Sequence, residues 1–372
     1  MSDGIDRDKL KAQCQAAWAF AQEQIRGLLE RDPDFFPIYT VRGKWRHGGE
    51  PWTNWCEGFL PGMMWLIYEQ TGDPWWRERA EHYSRLIEPR KTDRNVHDLG
   101  FLFLPTYKRW YDLTGDPARR EVLIEAGRTL AQRFQEKGGY LCSFIGPESL
   151  FIDIMMNVGI IFYAALETGN ERLLEVAHRH CMTTRRYLVR GDGSTAHEGI
   201  FDLETGEFLR QSTHQGVRGD SCWTRGLTWA FYGFGTAYQL TGQSKYLATA
   251  EQCADFYLEN VDASGVPLWD FDLPAGWEPL RDSSAAAIAA SGLWNLADLT
   301  ASPAKREAYR QAALQAIATL TTEEYLGCAV PGWEGILRHG VYHYHKRLGV
   351  DESVMWGEYF FLEALRKVMN GL

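Results

Sequence analysis

An aspartate lies inside one of the most apolar stretches of the sequence. Residues 149–162 read SLFIDIMMNVGIIF, and Asp153 is flanked there by Phe151, Ile152 and Ile154. An ionised carboxylate buried without a partner is costly, so such a group tends to raise its pKa and become neutral. Two interpretations follow: Asp153 caps the start of a helix with its carboxylate in water, or it is a carboxylic acid tuned to carry a proton.

Other residues that could do chemistry also precede apolar helical runs. Each of these segments carries Asp, Asn or Ser near a helix start, which N-capping alone explains in part. Capping does not explain why Trp, His, Arg and Gln collect in the same segments. Polar groups that converge at one end of a helical domain indicate a ligand site. The segments are WTNWCEGF (52–59), NVHDLGF (95–101), SLFIDIMMN (149–157), RQSTHQGVRGDSCWTRG (210–226), PLRDSSA (279–285) and GVDESVMWGEYFF (349–361).

A short pattern organises the helices that must position these segments. In each copy an apolar run ends at Thr-Gly, and an amphipathic run starts two or three residues later. Glycine at the helix C′ position accepts the left-handed conformation, and proline is tolerated in the first turn of the next helix, so the pattern predicts helix hairpins. The spacing is too irregular for a repeat array of fixed period. The copies are 68–76, 111–119, 166–173, 240–247 and a degraded one at 299–306.

The helical periodicity predicts about twelve helices of two kinds. Helices before a Thr-Gly turn are apolar nearly all round, which indicates an inner layer, and those after it carry a charged face, which indicates an outer layer. Six of each kind predict an all-α fold, an (α/α)6 barrel of six inner and six outer helices, as one domain over residues 1–372. The tight turns then lie at one end of the barrel, and the long polar connections lie at the other.

Composition narrows the class of protein. The chain has 372 residues, 45% of them hydrophobic, with a formal net charge of −10. That charge argues against nucleic acid or an anionic membrane as the main partner. The sequence shows no signal-peptide pattern and no apolar run of transmembrane length. Seven scattered cysteines without a C-x-x-C pair fit reduced thiols, and we therefore expect a cytoplasmic protein.

Several of these motifs resemble the unsaturated glucuronyl hydrolases, glycoside hydrolase family 88. The strings HDLGFLF with Asp98 and LFIDIMMN with Asp153 carry the resemblance, together with the stretch from His197 through SCWTRGLTWAFYGF and the terminal DESVMWGEYFFLEAL. The family has an (α/α)6 barrel, in agreement with the helix pattern. The resemblance implies an enzyme that acts on lyase-generated oligosaccharides ending in a 4,5-unsaturated glucuronate. It implies hydration of the vinyl ether, with a proton added at C4 and water at C5.

The resemblance also assigns roles to the two aspartates. Asp153 would be the acid/base, and Asp98 the supporting carboxylate. A carboxyl of ordinary pKa is hardly ever protonated at neutral pH, whereas apolar neighbours and a nearby like charge both raise the pKa. We therefore expect the pKa of Asp153 to be raised, with Asp98 as the like charge. Two carboxyl groups in contrasting environments commonly divide acid and base roles.

The implied binding residues surround the unsaturated uronate, the only partner that we expect. Arg225 would be the planar fork for the carboxylate of this sugar. Trp229 lies one turn later on the same helix face and could offer a stacking plane. Trp52 matches an aromatic residue of the family near the first inner helix, although Trp55 is close by. The expected substrate-binding set is His197, Gln215, Arg225, Trp229, Trp52 and Lys346.

No metal or cofactor is expected. His339, His343 and His345 are clustered, but no carboxylate or cysteine spacing supports a metal site there. The stretch 342–346 lies where some family members carry a Ser-x-Ser-x-Lys loop linked to sulfated substrates. Here Tyr342 and Tyr344 stand at the two serine positions, so we expect unsulfated substrates to be preferred.

Three other functions remain open. An unsaturated rhamnogalacturonyl hydrolase would share the fold and the hydration chemistry on pectin fragments. A sugar epimerase on the same barrel would use histidine pairs. A non-enzymatic helical scaffold would be more regular in its repeat spacing and would not need isolated aspartates in apolar runs.

Overall fold

A computed structural model describes residues 5–48 and 53–372 of the chain. Over these residues the helices form an (α/α)6 barrel, with six inner segments around the axis and six outer helices packed on them. The first outer helix packs against the last inner one and so closes the ring. The predicted fold class is confirmed. No helix in the described part of the chain is both long and apolar enough to span a membrane.

The inner segments are apolar and mostly buried all round, as their sequences predict. The second is interrupted by a π-helical turn at Leu104–Lys108, where Pro105 has no N–H to continue the α-helical bonding pattern. The third is broken between Asn157 and Gly159. In chain order the inner helices are Phe59–Thr71, Leu99–Phe103 with Arg109–Thr114, Ile154–Asn157 with Gly159–Thr168, Thr224–Thr241, Ser283–Leu299 and Met355–Gly371.

The outer helices bury one face and expose the other. In Glu171–Tyr187, for example, Val176, Ala177 and Cys181 are buried, while charged residues such as Glu171 are exposed. This amphipathic pattern is what places these helices outside the inner ring. The outer helices are Arg7–Arg31, Pro74–Ile87, Pro117–Ala131, Glu171–Tyr187, Ser244–Asn260 and Pro303–Leu320.

The Thr-Gly turns join inner to outer helices at one end of the barrel, which we call the closed end. Gly72, Gly115, Gly169 and Gly242 each cap an inner helix in the left-handed conformation, with φ between 62° and 70°. The threonine before each glycine donates its hydroxyl to the carbonyl four residues earlier. The degraded copy ends instead in an extended residue, Thr300. These short turns leave the opposite end, the mouth, to the long connections.

Short β-strands stiffen the mouth connections, and the sequence did not predict them. Strands of two to five residues carry too little periodicity to stand out beside long helices. The largest sheet has three antiparallel strands, in the order 149–151, 198–201 and 208–212. The strands are Thr40–Val41 with Lys44–Trp45, Phe134–Gln135 with Tyr140–Leu141, Ser149–Phe151 with Glu198–Phe201 and Phe208–Ser212, and Gly340–His343 with Leu348–Glu352.

Aromatic rings fill the barrel axis beneath the mouth. Phe101 packs on Phe59 and Trp229, with ring centroids 5.4 and 5.1 Å away, and Trp229 packs on Phe360 at 5.3 Å. Below this layer, near the closed end, Glu363 accepts hydrogen bonds from several partners on neighbouring helices. The aromatic layer therefore forms a floor for whatever lies at the mouth.

Candidate active site

A cavity of about 250 Å³ opens at the mouth, where the inner helices begin. Its walls come from the connections before the first, second, third, fourth and sixth inner helices and from the fourth inner helix itself. It brings together most of the residues that the sequence singled out. The lining residues are Thr53, Trp55, His97, Asp98, Phe144, Ile145, Phe151, Asp153, His214, Gln215, Trp223, Arg225, Trp229, Tyr342, His343 and Lys346.

The two aspartates stand at helix starts without capping them. Asp98 precedes the helix Leu99–Phe103 and Asp153 precedes Ile154–Asn157, yet neither side chain makes a capping hydrogen bond within the described residues. By contrast, the helix-start residues Asp73 and Asp116 at the closed end both cap with their carboxylates. Capping therefore does not account for Asp98 or Asp153. Both carboxyl groups instead face the cavity.

His97 joins the two carboxyl groups. Its Nε2 lies 3.3 Å from Asp98 Oδ1 and 3.3 Å from Asp153 Oδ2. Its Nδ1 accepts the backbone N–H of Phe144 at 3.0 Å. Because Nδ1 is an acceptor, the neutral ring carries its hydrogen on Nε2 and donates it to the carboxyl pair. The three residues form a buried cluster that shares its protons.

The pKa values of the two carboxyl groups are pushed apart. Burial raises the pKa of Asp98 to about 6, and the charge of Asp153 adds to this rise. Burial also acts to raise the pKa of Asp153, but the hydrogen bond from His97 and the positive charge of its protonated ring lower it below its ordinary value. The expectation of a raised pKa at Asp153 is thus wrong for the unliganded site, where Asp98 is the raised carboxyl. Since the groups interact directly, they titrate as a unit.

His197 lies behind the cavity wall rather than in it. It is 2% exposed and packs between Phe151 and Trp223, at centroid distances of 4.5 and 4.7 Å. Its Nδ1 accepts the backbone N–H groups of His214 and Gln215 at 3.1 and 3.3 Å. Burial lowers its pKa to about 4, so the ring is neutral at pH 7 with its hydrogen on Nε2. That Nε2 is hidden from water and has no hydrogen-bond partner among the described residues.

Arg225 reaches the cavity wall, but its terminal nitrogens are already engaged. Nη1 donates to Asp282 Oδ2 at 3.0 Å and to the Val341 carbonyl, and Nη2 donates to Gln215 Oε1 at 2.5 Å and to the Tyr342 carbonyl at 2.8 Å. The expected free fork for a substrate carboxylate is therefore not how this guanidinium is arranged. An arginine can only donate, so Gln215 must present its oxygen to Arg225 and its NH₂ group elsewhere. Because Gln215 lines the cavity, this NH₂ group is available to an acceptor there.

The remaining predicted residues divide by position. Trp229 is 1% exposed and forms part of the cavity floor. Lys346 lies at the rim and is exposed. Trp55 lines the cavity, and its Nε1 donates to the Tyr342 hydroxyl at 3.3 Å. Trp52 lies outside the described residues.

Several lining residues were not predicted from the sequence as parts of the site. His97 had a signal, because it directly precedes Asp98 in the motif NVHDLGF. Phe144 and Ile145 had none, since they belong to a loop that the three-stranded sheet brings to the cavity. Trp223 precedes the fourth inner helix and shields both His197 and Arg225, with the guanidinium 4.5 Å from its ring centroid.

One set of side chains in the described structure could hold a metal ion. A nitrogen of His97 and carboxylate oxygens of Asp98 and Asp153 lie within 4.8 Å of one another. The histidines 339, 343 and 345 that the sequence singled out do not belong to this set. His339 bonds to Asp351, and His345 bonds to the Gly216 carbonyl. That the reaction needs no metal stays a prediction.

Comparisons with known proteins agree with this architecture. The sequence model of Glycosyl Hydrolase Family 88 matches residues 39–326. The unsaturated glucuronyl hydrolase of Bacillus sp. (strain GL1) is 34% identical over 332 residues, covering 86% of this chain and 87% of that protein. Its 1.8 Å crystal structure, described as that of an enzyme responsible for glycosaminoglycan degradation, matches with a TM-score of 0.87 and 32% identity, covering 95% of this chain and 96% of that one. A mutant unsaturated glucuronyl hydrolase from Streptococcus agalactiae, complexed with dGlcA-GalNAc6S, matches with a TM-score of 0.82 and 27% identity, covering 100% and 97%.

Proposed function

Because the chain belongs to glycosyl hydrolase family 88, we propose that it removes the 4,5-unsaturated glucuronate from the non-reducing end of lyase-generated oligosaccharides. The observation that carries this proposal is the pair of buried carboxyl groups, Asp98 and Asp153, held by one histidine at the mouth of the barrel. Hydration of a vinyl ether needs a proton donor that then becomes a base. A carboxyl group beside a second carboxyl can take both roles.

The proposed reaction begins with proton transfer from Asp153 to C4. The double-bond electrons form the C4–H bond, and the positive charge that develops at C5 is shared with the ring oxygen. The Asp153 carboxylate then takes a proton from a water molecule, whose oxygen bonds to C5. The resulting hemiketal opens at the C5–O bond, and the hemiacetal left at C1 expels the shortened sugar. The proton that Asp153 gives in the first step is thus regained in the second.

Asp153 must be protonated when substrate is bound, although its pKa is lowered in the free site. Substrate supplies two effects that raise it. The sugar excludes water from the cavity, and its own carboxylate brings a second negative charge near Asp153. In the free site the pair holds a proton, on Asp98, at pH values below the Asp98 pKa of about 6. Binding therefore shifts the shared proton toward Asp153.

The amide of Gln215 is the proposed donor to the substrate carboxylate. Arg225 fixes the orientation of that amide and polarises it by donating to its oxygen. His197, behind the wall, helps to position Gln215, because its Nδ1 accepts the backbone N–H groups of His214 and Gln215. Trp229 and Trp55 offer apolar surface for the sugar ring. Recognition of the uronate then rests on the oriented amide of Gln215, with the positive charge of Arg225 behind it.

We favour glycosaminoglycan fragments as the substrate class. The S. agalactiae relative was solved with dGlcA-GalNAc6S, a chondroitin-type disaccharide. In this chain Tyr342 closes the wall by accepting a hydrogen bond from Trp55, and Lys346 lies at the rim. We expect unsulfated disaccharides to be turned over faster than sulfated ones, because tyrosines stand where a serine pair accompanies the lysine in some relatives.

A panel of lyase-generated disaccharides tests the proposal. Loss of the ultraviolet absorbance of the C4=C5 bond reports hydration, whereas an epimerase would leave that absorbance unchanged. We expect unsaturated chondroitin or hyaluronan disaccharides to lose absorbance and unsaturated rhamnogalacturonan disaccharide to be inert. The reverse preference would identify the protein as an unsaturated rhamnogalacturonyl hydrolase acting on pectin fragments. If no unsaturated uronide lost its absorbance, the proposal would be overturned.

The role of Asp153 is tested by Asp153→Asn. An amide can neither give nor take the required proton, so turnover should fall by about 10²–10⁴-fold, the usual contribution of general acid catalysis, while substrate still binds. Asp116→Asn is the matched control, because Asp116 caps a helix at the closed end and asparagine caps equally well. A variant at position 153 that keeps a tenth of the wild-type rate would exclude Asp153 as the acid/base.

A cytoplasmic location is part of the proposal. All seven cysteines are unpaired, and six are buried. Unpaired thiols suit a reducing compartment. Fractionation of the source cells, with detection in the cytoplasmic fraction, tests this point, and recovery outside the cell would contradict it.

A further inference from the structure

An exposed aromatic group lies beside the mouth, outside the cavity. Tyr344 stacks on Trp269 at 4.6 Å with ring planes 17° apart, and on Trp277 at 5.4 Å with planes 25° apart. Trp269 is fully buried, whereas Trp277 is 38% exposed. We call Trp277 and Tyr344 the aromatic shelf. A buried ring thus supports two rings that reach the surface in nearly parallel planes.

The chain holds the shelf in a defined position. Trp277 lies at the tip of the connection before the fifth inner helix. Backbone bonds close this connection below the tip, with Trp269 N donating to Leu280 O at 3.0 Å. At the tip, the N–H of Trp277 bonds to Pro274 O at 3.1 Å, next to Gly276 with φ +87°. The closed turn therefore holds Trp277 in place, and 38% of its surface stays exposed even though it packs on Tyr344.

The shelf is continuous with the cavity wall. His345 links the two, since its ring lies 6.3 Å from that of Trp277 and 6.1 Å from that of His343, which lines the cavity. The Nε2 of His345 also bonds to the Gly216 carbonyl, next to Gln215. Trp277 thus lies two such steps outside the cavity. An oligosaccharide whose terminal uronate fills the cavity would cross His345 and reach the shelf with a later ring.

Aromatic faces are suitable surfaces for a sugar ring. One face of a pyranose carries mainly C–H groups, which bury apolar area on an aromatic plane while the hydroxyls at the ring edge stay in water. An aromatic patch that is exposed yet rigid is an established feature of binding surfaces, because little conformational entropy is lost on contact.

We propose that the aromatic shelf is a distal saccharide subsite, which binds a ring beyond the disaccharide unit of longer unsaturated oligosaccharides. This inference rests on the proposed function, because the uronate in the cavity sets the direction of the chain. The shelf gives the enzyme a preference for tetrasaccharides over disaccharides. It acts on binding alone, since it lies outside the cavity that holds Asp98 and Asp153.

The test compares one disaccharide with the unsaturated tetrasaccharide of the same polymer, in the wild type and in Trp277→Ala. We expect the variant to keep its kcat/KM for the disaccharide within about twofold of wild type. Its KM for the tetrasaccharide should rise about 2- to 10-fold, which is the size of one stacking contact. Trp277→Phe should restore the tetrasaccharide KM. Leu113→Ala is the matched control, because Leu113 is 43% exposed at the closed end.

The outcomes separate this proposal from the proposed function. If the wild type hydrates the disaccharide but Trp277→Ala leaves the tetrasaccharide KM unchanged, or slows both substrates equally, the subsite is overturned and the function stands. If the wild type shows no preference for the tetrasaccharide, the subsite is also overturned. If the wild type hydrates no unsaturated uronide at all, both proposals fall together.

Discussion

At the scale of single residues, the cluster of His97, Asp98 and Asp153 sets the pH behaviour of the site. The active form of the pair must hold one proton, since Asp153 has to protonate C4. In the free protein this proton leaves with an apparent pKa near that of Asp98, about 6. The protonated fraction falls as the pH rises through that value. Substrate raises the apparent pKa, because its carboxylate adds negative charge and its ring displaces water.

The pH profiles of kcat/KM and kcat should therefore differ. The alkaline limb of kcat/KM reports the free enzyme, and we expect activity to fall as the pH rises above about 6. The limb of kcat reports the complex and should lie at higher pH. Asp98→Asn removes the like charge that favours a proton on the pair, so both limbs should move to lower pH and the rate at pH 7 should fall.

Two results would contradict this account of the proton. If the alkaline limbs of kcat and kcat/KM coincide, substrate does not shift the apparent pKa of the Asp98–Asp153 pair. Unchanged limbs in Asp98→Asn would mean that Asp98 does not share its proton with Asp153. Asp116→Asn again serves as the control with an intact cluster.

The sequence identified both aspartates but not their electrostatics. Asp153 was singled out because its neighbours along the chain are apolar, and those neighbours are indeed buried. The lowered pKa of Asp153 comes chiefly from His97, and the contact between these residues, which precede two different inner segments, cannot be read from local sequence. The same limit applies to Arg225. Its partners Asp282 and the 341–342 carbonyls lie 57 to 117 residues away along the chain. The hydrogen bonds that occupy its guanidinium could therefore not be predicted from the sequence.

At the scale of elements, one side chain ties together the two helices that carry the aspartates. Asn157 is fully buried, and its Oδ1 accepts the N–H of Phe101 at 2.8 Å. Its Nδ2 donates to the backbone carbonyl of Asp153 at 3.2 Å. The contact is close, because a Cβ at Gly100 would meet Asn157 Cα at 2.4 Å. Asn157 thus acts as a positioning residue that sets the spacing of Asp98 and Asp153.

Asn157→Ala should lower kcat more than it changes KM. Both hydrogen bonds are lost, which leaves the Phe101 N–H buried without its partner at a cost of about 1–3 kcal/mol in stability. A shift of the two carboxyl groups by a fraction of an ångström should reduce kcat at least about tenfold, because misplacement of catalytic groups is costly. Steady-state kinetics with the disaccharide, with thermal unfolding alongside, measure both effects.

Thr106→Val controls for simple loss of stability. Thr106 is equally buried on the second inner segment, but among the described residues its hydroxyl bonds only to Leu102 O within the same segment. The Thr106→Val variant should be less stable than the wild type and should keep the wild-type kcat. If both variants lose kcat in proportion to stability, or if Asn157→Ala keeps wild-type kcat, Asn157 has no positioning role.

The elements themselves were largely predictable. Inner helices are apolar all round, and the Thr-Gly turns mark where they end, so their number and order followed from periodicity and capping. The interruptions were not predicted. Pro105 alone does not distinguish a kink from a π turn, and a single glycine such as Gly159 is tolerated inside helices too often to predict the break at Val158. The strand Ser149–Phe151 depends on pairing with a segment about 50 residues away, as in Leu150 with Gly199, and the other mouth strands are short hairpins with little periodicity.

At the scale of the whole molecule, a buried carboxyl group links stability to pH. Glu358 on the last inner helix is 1% exposed and accepts the N–H groups of Ile336 and Leu337 at 2.7 and 3.1 Å. Burial raises its pKa from 4.5 to about 8. The folded state therefore keeps a proton that the unfolded state has lost. The stabilisation is fully present below about pH 4.5 and is lost as the pH rises toward 8.

Glu358→Gln should flatten this dependence. The variant cannot lose a proton, so its midpoint of thermal unfolding should fall less than that of the wild type between pH 5 and pH 8. Its absolute stability at pH 5 should be lower, because glutamine offers one acceptor oxygen for two N–H groups. Thermal unfolding at a series of pH values measures both.

Glu363, five residues further along the same helix, is the contrasting control. Burial acts to raise its pKa, but the charges of Lys367 and Arg109 lower it to about 2. Its stabilisation is present above pH 4.5 and is lost only as the pH falls toward 2, so Glu363→Gln should destabilise equally at pH 5 and pH 8. If Glu358→Gln behaves like Glu363→Gln, the raised pKa of Glu358 is wrong.

The Thr-Gly turns lie at the closed end, away from the candidate active site at the mouth. The closed end is therefore a suitable point for attaching the protein to a support. Gly242 caps the fourth inner helix, and no atom lies within 4 Å of where its Cβ would be. A flexible tether inserted between Gly242 and Gln243 should leave kcat/KM within about twofold of wild type, because lengthening an exposed loop costs only about 0.6 kcal/mol per doubling. The same tether between Gly276 and Trp277 should weaken tetrasaccharide turnover. If the protein is immobilised through a tether after Gly242, its mouth stays accessible to soluble saccharides. Loss of activity in this variant would show that changes at the closed end alter the mouth.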